Sequence, residues 1–289
     1  MPTKLLEEAG IDIVPNPFGR RMTEKEIIEH IKGVDGLIAG LEPLNRQVLS
    51  SSPRLKAIAR VGIGMTNVDQ DAAKELGIKV SNTPDAPVQA VAEMTVAALL
   101  AICRDLVATN KALHAGEWKK TIGTGLVGTS ILFVGYGRIG KKTAEILKSF
   151  SAKILVNDPF VDPATLENGT RQVSLDEGLR QAQVVSLHAS GETVIIGKDE
   201  FSKMQDGVVL LNSARGELVD EEALIEALDS AKVSGAWFDA FWREPYKGRL
   251  QEYDQVLMTP HAGTYTRQCR LTMETQAVEN LLRDLAASA

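Results

Sequence analysis

The strongest constraint on this chain is a rhythm. Short runs rich in Val, Ile and Leu recur at residues 36–39, 55–61, 78–82, 130–134, 152–157, 184–188, 208–212, 233–238 and 255–259, with helical patterns between them. Several of these runs are apolar throughout rather than alternating, which is how strands buried on both faces of a parallel sheet read. Helical patterns such as 141–149 and 221–230 fill the intervals. The second is well marked, with Asp220 placed to cap its first turn and Glu221 and Glu222 at the positive end of the helix dipole. The alternation predicts an α/β fold.

One helical pattern is unusually long. Residues 88–113 contain no breaker, and a helix of about 25 residues is ~38 Å long at the usual rise. It reads as the connection between two α/β units. The pattern at 266–285 follows the last strand and would return to the first unit. The expected division is therefore residues 1–87, completed by 265–289, and residues 88–264. Each is expected to be a doubly wound parallel sheet.

Composition excludes several classes. Lys and Arg total 32 against 38 Asp and Glu, a net charge of −6. An acidic surface repels phosphate backbones, so no nucleic-acid partner is expected. Cys103 and Cys269 lie far apart and form no CxxC pair, which fits a reducing compartment better than a disulfide framework or a zinc site. No metal is expected. The longest apolar stretch, 94–103, is bracketed by Glu93 and Arg104 and is too short to span a bilayer. The N-terminal MPTKLLEEAG carries acidic residues where a signal peptide needs its apolar core. The expectation is a soluble, cytoplasmic protein with no membrane partner.

The run 130–134 enters Gly135-Tyr136-Gly137-Arg138-Ile139-Gly140 and then a helix. Such a turn lets backbone N–H groups approach a pyrophosphate at a helix N-terminus that favours anions. A Gly-rich turn alone is weak, but Asp158 lies 18 residues beyond Gly140, at the end of the next strand. That is near the spacing of the carboxylate that binds adenosine ribose hydroxyls. Pro159, Phe160 and Val161 follow with no cation among them. A 2′-phosphate would meet an unpaired carboxylate, so NAD is expected rather than NADP.

Three polar residues then follow apolar strands: Arg215 after 208–214, Glu244 before Pro245, and His261 after Pro260. Singly, each has a bland alternative as a surface Arg, a turn Glu and a core-edge His. Together they cohere. An Arg fork binds carboxylate bidentately, His transfers protons near neutral pH, and a neighbouring carboxylate orients its ring. His30 and His114 read as solvated helix residues. His188 reads as a packed, hydrogen-bonded histidine near the cofactor, and Trp118, Trp237 and Trp242 as packing in the core or at an interface.

With these residues in place, the chain resembles the D-isomer-specific 2-hydroxyacid dehydrogenases, especially their phosphoglycerate dehydrogenase-like branch. The likeness rests on the segment from Arg60 to Asp69 (RVGIGMTNVD), Asn82-Thr83-Pro84, Val91-Ala92-Glu93, the Gly135–Gly140 turn, Asn212-Ser213-Ala214-Arg215-Gly216, Glu244-Pro245 and Thr259-Pro260-His261. It implies two Rossmann-like domains with an active-site cleft between them, acting on a small 2-hydroxy or 2-keto acid, and a homodimer. It implies that Arg215 grips substrate, that Glu244 and His261 form the acid/base pair, and that Asp158 holds the ribose. Ser213, Ala214, Asp239 and Gly263 would lie near the cofactor. The loop from Val61 through Gly62 and Ile63 to Gly64 would offer N–H groups to the substrate carboxylate, with Arg60 as a candidate phosphate ligand.

The sequence departs from the family in places. Relatives carry a strand before the helix at 5–10, so this chain begins about a dozen residues late by that comparison. No regulatory domain is expected after the last helix. Gly40-Leu41-Glu42 stands where phosphate-binding relatives present a second arginine, which favours glyoxylate or hydroxypyruvate as substrate. A rival of another class is an NAD(H)-sensing, co-repressor-like binding protein with the same triad.

Overall fold

The computed structural model describes residues 2–287. It divides into two compact units, Met1–Pro87 with Tyr265–Ala289, and Val88–Thr264. In the first, α1 (Pro2–Glu8), α2 (Glu24–His30), β1 (Gly36–Ala39), α3 (Arg46–Ser50), β2 (Ala57–Arg60), α4 (Gln70–Glu75) and β3 (Lys79–Asn82) follow in order. The strands form a parallel sheet, β1-β2-β3. Alternation along β2 assigns its faces. Ile58 joins Ile27, Ile31, Val48, Leu49, Ala72 and Ala73 on the side of α2, α3 and α4, whereas Ala57 and Ala59 point the other way.

The second unit contains α5 (Pro87–Cys103), α6 (Leu106–His114), β4 (Ser130–Val134), α7 (Arg138–Lys148), β5 (Lys153–Asn157), β6 (Thr170–Gln172), α8 (Leu175–Gln181), β7 (Val184–Leu187), α9 (Lys198–Lys203), β8 (Val208–Asn212), α10 (Glu221–Asp229), β9 (Val233–Phe238) and β10 (Val256–Met258). Its parallel sheet runs β10-β9-β8-β7-β4-β5-β6. β4 therefore has its sequence successor β5 on one side and β7 on the other. This reversal is the switch point at whose carboxyl edge ligands of such sheets bind. Both sheet faces are covered. Leu132, Val185, Leu210 and Phe238 join one cluster, and Ile131, Phe133, Leu211 and Trp237 the other. Trp237 and Phe133 are fully buried, and a side chain of this kind contributes about 1.5–3 kcal/mol on burial.

α11 (Arg267–Ala286), capped by Thr266, returns to the first unit. Ala277 and Leu281 pack on Ala57 and Ala59, and Asn280 Nδ2–H donates to Asn82 O at 3.0 Å. The small residues are what let the helix approach: a Cβ on Gly36 would stand 3.0 Å from Leu281.

Two expectations need correction. The helix read as unbroken over 88–113 is two helices, with Asp105 left-handed between them at φ +51°. Its cause lies outside the helix: Thr124 N–H donates to Cys103 O (2.8 Å), and a Cβ on Gly123 would stand 2.4 Å from that oxygen. The carbonyl that would continue the ladder is engaged elsewhere. β6 was missed because Thr170-Arg171-Gln172 is a short polar run at the sheet edge. Trp118 is 83% exposed, which removes the core from its two expected settings and leaves the interface.

Candidate active site

The Gly-rich turn occupies the switch point. Gly135 has φ +88°, and a Cβ there would come within 2.5 Å of Ala189 N, so the loops after β4 and β7 touch. Gly140 lies in the first turn of α7, where a Cβ would strike Gly135 O at 2.8 Å. Gly137 differs: nothing stands within 4 Å of its Cβ position, and it caps α7 without a side-chain hydrogen bond. The positive end of α7, carrying Arg138 and Ile139, is thereby left open to an anion. Asp158 closes this corner, accepting Tyr136 N–H (2.7 Å) and Phe160 N–H (2.9 Å). These features fit a dinucleotide, whose pyrophosphate Gly135–Gly140 would hold and whose ribose Asp158 would meet.

Beside β4, His188 ends β7 as expected for a packed residue. Its ring stacks on Phe133, with centroids 5.5 Å apart, and Nε2 lies 2.8 Å from Ser186 Oγ. Burial pulls its pKa down to about 4. The ring is neutral at physiological pH.

The other candidate residues follow β8, β9 and β10, which are neighbours in the sheet. After β8, Asn212 is fully buried and spans the turn: its Oδ1 accepts Ala214 N–H (3.0 Å) and its Nδ2–H donates to Arg215 O (2.8 Å). In the sequence, only its place as an amide ending a wholly apolar strand marks Asn212. Arg215 Nη1 donates to Ala214 O (2.7 Å). Gly216 brings this turn against the one after β9, since its Cβ would lie 2.2 Å from Trp242 N. That second turn is held by aromatic packing: Phe238 on Trp242 at 5.5 Å and Phe241 on Tyr246 at 4.7 Å.

Glu244 and His261 are in contact. His261 Nδ1 lies 2.9 and 3.0 Å from the two Glu244 oxygens, and Phe241 N–H donates to Oε1 at 3.2 Å. Burial pushes the Glu244 carboxyl up. The hydrogen bond and charge of His261, the Phe241 N–H and nearby Arg215 outweigh it and hold the carboxyl below its ordinary value. With Nδ1–H donated to a carboxylate, Nε2 is the ring nitrogen left available to exchange a proton.

Asp239 lies buried under the turn that carries His261. It is 3% exposed, and its oxygens accept Thr259 Oγ–H (2.6 Å), Ala262 N–H (2.8 Å) and Gly263 N–H (2.8 Å). It braces the His261 turn. Gly263 serves the same contact, since its Cβ would lie 2.9 Å from Asp239 Oδ2.

In the first unit, the loop after β2 differs from the one expected. Arg60 was expected to reach for a phosphate, but it is 9% exposed, it donates to Val61 O, and a Cβ on Gly62 would fall 1.5 Å from its Nη1. It props the loop from below. Val61 N–H donates to Ala39 O (2.9 Å) and Gly62 N–H to Thr83 Oγ1 (2.8 Å), so neither is open to a substrate carboxylate. Asn82 Nδ2–H holds Ile63 O (2.8 Å). Glu42 folds back so that Oε2 accepts Gly40 N–H at 2.9 Å.

Residues 96–263 match the D-isomer specific 2-hydroxyacid dehydrogenase, NAD binding domain. The chain is 34% identical to the hydroxypyruvate reductase of Thermotoga maritima, over 91% of this chain and 89% of that protein. It is 36% identical to the D-3-phosphoglycerate dehydrogenase of Mycobacterium tuberculosis, over 86% of this chain and 49% of that one. The chain thus spans about half the length of the phosphoglycerate dehydrogenases it matches. A crystal structure of a glyoxylate reductase from Paecilomyes thermophila superposes with TM-score 0.89 at 30% identity, covering 99% of this chain and 92% of that one. The fold is that of an NAD-binding α/β protein. The chain belongs to the D-isomer specific 2-hydroxyacid dehydrogenase family, and residues 96–263 are its NAD-binding domain.

Proposed function

We propose that this chain catalyses hydride transfer between NAD(H) and a small 2-hydroxy/2-keto acid. The observation that carries the reading is the two-pronged contact of Glu244 with His261 Nδ1, with Arg215 at the end of the adjacent strand. Bound NAD(H) supplies the hydride chemistry. His261, held through Nδ1, gives or takes the proton at Nε2. Glu244 fixes the ring and stabilises its protonated form. Arg215 offers a planar cation to the carboxylate and the polarised carbonyl.

Among the family's acids, the reading favours a non-phosphorylated one such as glyoxylate or hydroxypyruvate over phosphohydroxypyruvate. Arg60 is tied to the Val61–Gly62 loop, and the segment after β1 offers the carboxylate of Glu42, folded back on Gly40, where a phosphate site would want a second cation. The named relatives include both reductases. A homodimer is part of the proposal, supported by the exposed apolar side chains of Leu106, Val107, Leu113, Trp118, Ile122 and Val127 on α6 and the segment after it. The cytoplasm suits two buried, unpaired cysteines. No helix among the described residues is long and apolar enough to cross a membrane.

The test is NADH oxidation against glyoxylate, hydroxypyruvate, pyruvate and phosphohydroxypyruvate, with Arg60→Ala as a control. The proposal expects kcat/KM for a non-phosphorylated acid to equal or exceed that for phosphohydroxypyruvate. If phosphohydroxypyruvate wins by more than tenfold and Arg60→Ala abolishes the advantage, the substrate reading is wrong. If no keto acid is turned over while NADH binds, the binding-protein class replaces the enzyme.

A further inference from the structure

We infer that Thr259 is a positioning residue that sets the turn carrying His261, by linking the Trp237 indole to the Asp239 carboxylate. The inference rests on the reading of His261 as the proton-transfer residue.

The turn needs a brace. His261 is left-handed at φ +52°, a conformation that crowds the Cβ of any residue other than glycine. Such strain persists only where the surroundings over-determine it. Here three successive N–H groups are committed: His261 to Thr259 O (2.9 Å), Ala262 to Asp239 Oδ1 (2.8 Å) and Gly263 to Asp239 Oδ2 (2.8 Å). The carboxylate is thus the floor of the turn, and its own rotamer decides where the turn sits.

Thr259 fixes that rotamer. Trp237 Nε1–H donates to Thr259 Oγ1 at 3.0 Å, and the indole N–H can only donate. The Thr259 hydroxyl must then accept there, which directs its hydrogen to Asp239 Oδ1 at 2.6 Å. Trp237 is fully buried on β9, which is paired with β8 on one side and β10 on the other, so the first link is held in place. Thr259 itself is registered by its N–H on Phe238 O at 3.0 Å. The chain of donors therefore runs from a rigid strand, through one hydroxyl, to the carboxylate beneath the catalytic turn.

Thr259→Val keeps the shape and removes the hydroxyl; Thr259→Ser keeps the hydroxyl. The readouts are kcat and KM for the best keto acid, NADH affinity by fluorescence, and the ring-nitrogen resonances of His261, assigned by their loss in His261→Ala. Thr259→Val is expected to lower kcat at least tenfold, with KM and NADH affinity within threefold, and to move the Nδ1 resonance that reports the bond to Glu244. Thr259→Ser is expected to restore kcat to within threefold of the parent and to leave that resonance in place. Should Thr259→Val not fold, Thr259→Ala carries the same expectation. A kcat within twofold of the parent in the hydroxyl-free variant, or equal losses in Val and Ser, overturns the inference. If the parent turns over no keto acid, the functional reading fails instead. The resonance arm still decides the inference: movement in Val but not Ser supports it, and movement in neither or in both overturns it.

Discussion

Acid should destabilise the NAD-binding unit through one histidine. His188 titrates near 4 in the folded chain against an ordinary 6.5, because its ring is packed on Phe133 beside Ser186. Between those values the unfolded chain binds a proton that the folded chain refuses, so stability falls as pH falls. The difference of about 2.5 units is worth roughly 3 kcal/mol below pH 4, and about 2 kcal/mol is already lost at pH 5 relative to pH 8. The perturbation is the paired substitution Ser186→Ala with His188→Phe. It removes both hydrogen-bonding partners together and leaves no orphan, and it puts a second ring against Phe133. Urea unfolding followed by tryptophan fluorescence reports this unit, since Trp118, Trp237 and Trp242 all lie in it. The parent should lose about 2 kcal/mol more than the double variant between pH 8 and pH 5. Parallel losses would show that His188 is protonated in the folded state and that the burial argument is wrong.

Other consequences are as direct. Asp158, with no cation in the three residues after it, should make kcat/KM with NAD at least tenfold higher than with NADP, about 1.4 kcal/mol; equal values would remove its assignment to the ribose. Arg215→Lys keeps the charge but loses the fork, so kcat/KM should fall markedly while NADH affinity by fluorescence holds; a parallel loss of NADH binding would make Arg215 a structural residue. Asn212→Ala leaves Ala214 N–H and Arg215 O without their partner and should cost about 1–3 kcal/mol in urea unfolding. Glu244 is held below the ordinary carboxylate value, so it stays ionised until the pH falls beneath that range; Glu244→Gln should reshape the acidic side of the pH–rate profile, and an unchanged profile would count against the dyad.

The parallel sheets were legible because strands such as Val208–Asn212 are buried on both faces and so carry no alternation to confuse with a surface strand. β6 was not, since an edge strand of Thr, Arg and Gln has no apolar signature. The break at Asp105 was hidden for a different reason: it depends on Gly123 and Thr124 capturing Cys103 O, a contact between residues far apart in sequence. The same distinction runs through the candidate site. Placement of Arg215, Glu244 and His261 after neighbouring strands could be read from apolar runs followed by polar residues. The orientations could not. Asp239 turns beneath the His261 turn and Arg60 beneath Gly62, because each finds backbone partners that only the folded chain assembles.

The central claim is that His261, oriented by Glu244, moves the proton. Its most direct test is steady-state NADH oxidation by His261→Ala and by the parent with the best keto acid, with NADH affinity measured on the same preparations. A positioned acid/base is worth roughly 10²–10⁴ in rate, so kcat should fall by that factor while NADH affinity stays within about threefold. Turnover by His261→Ala within threefold of the parent would contradict the account.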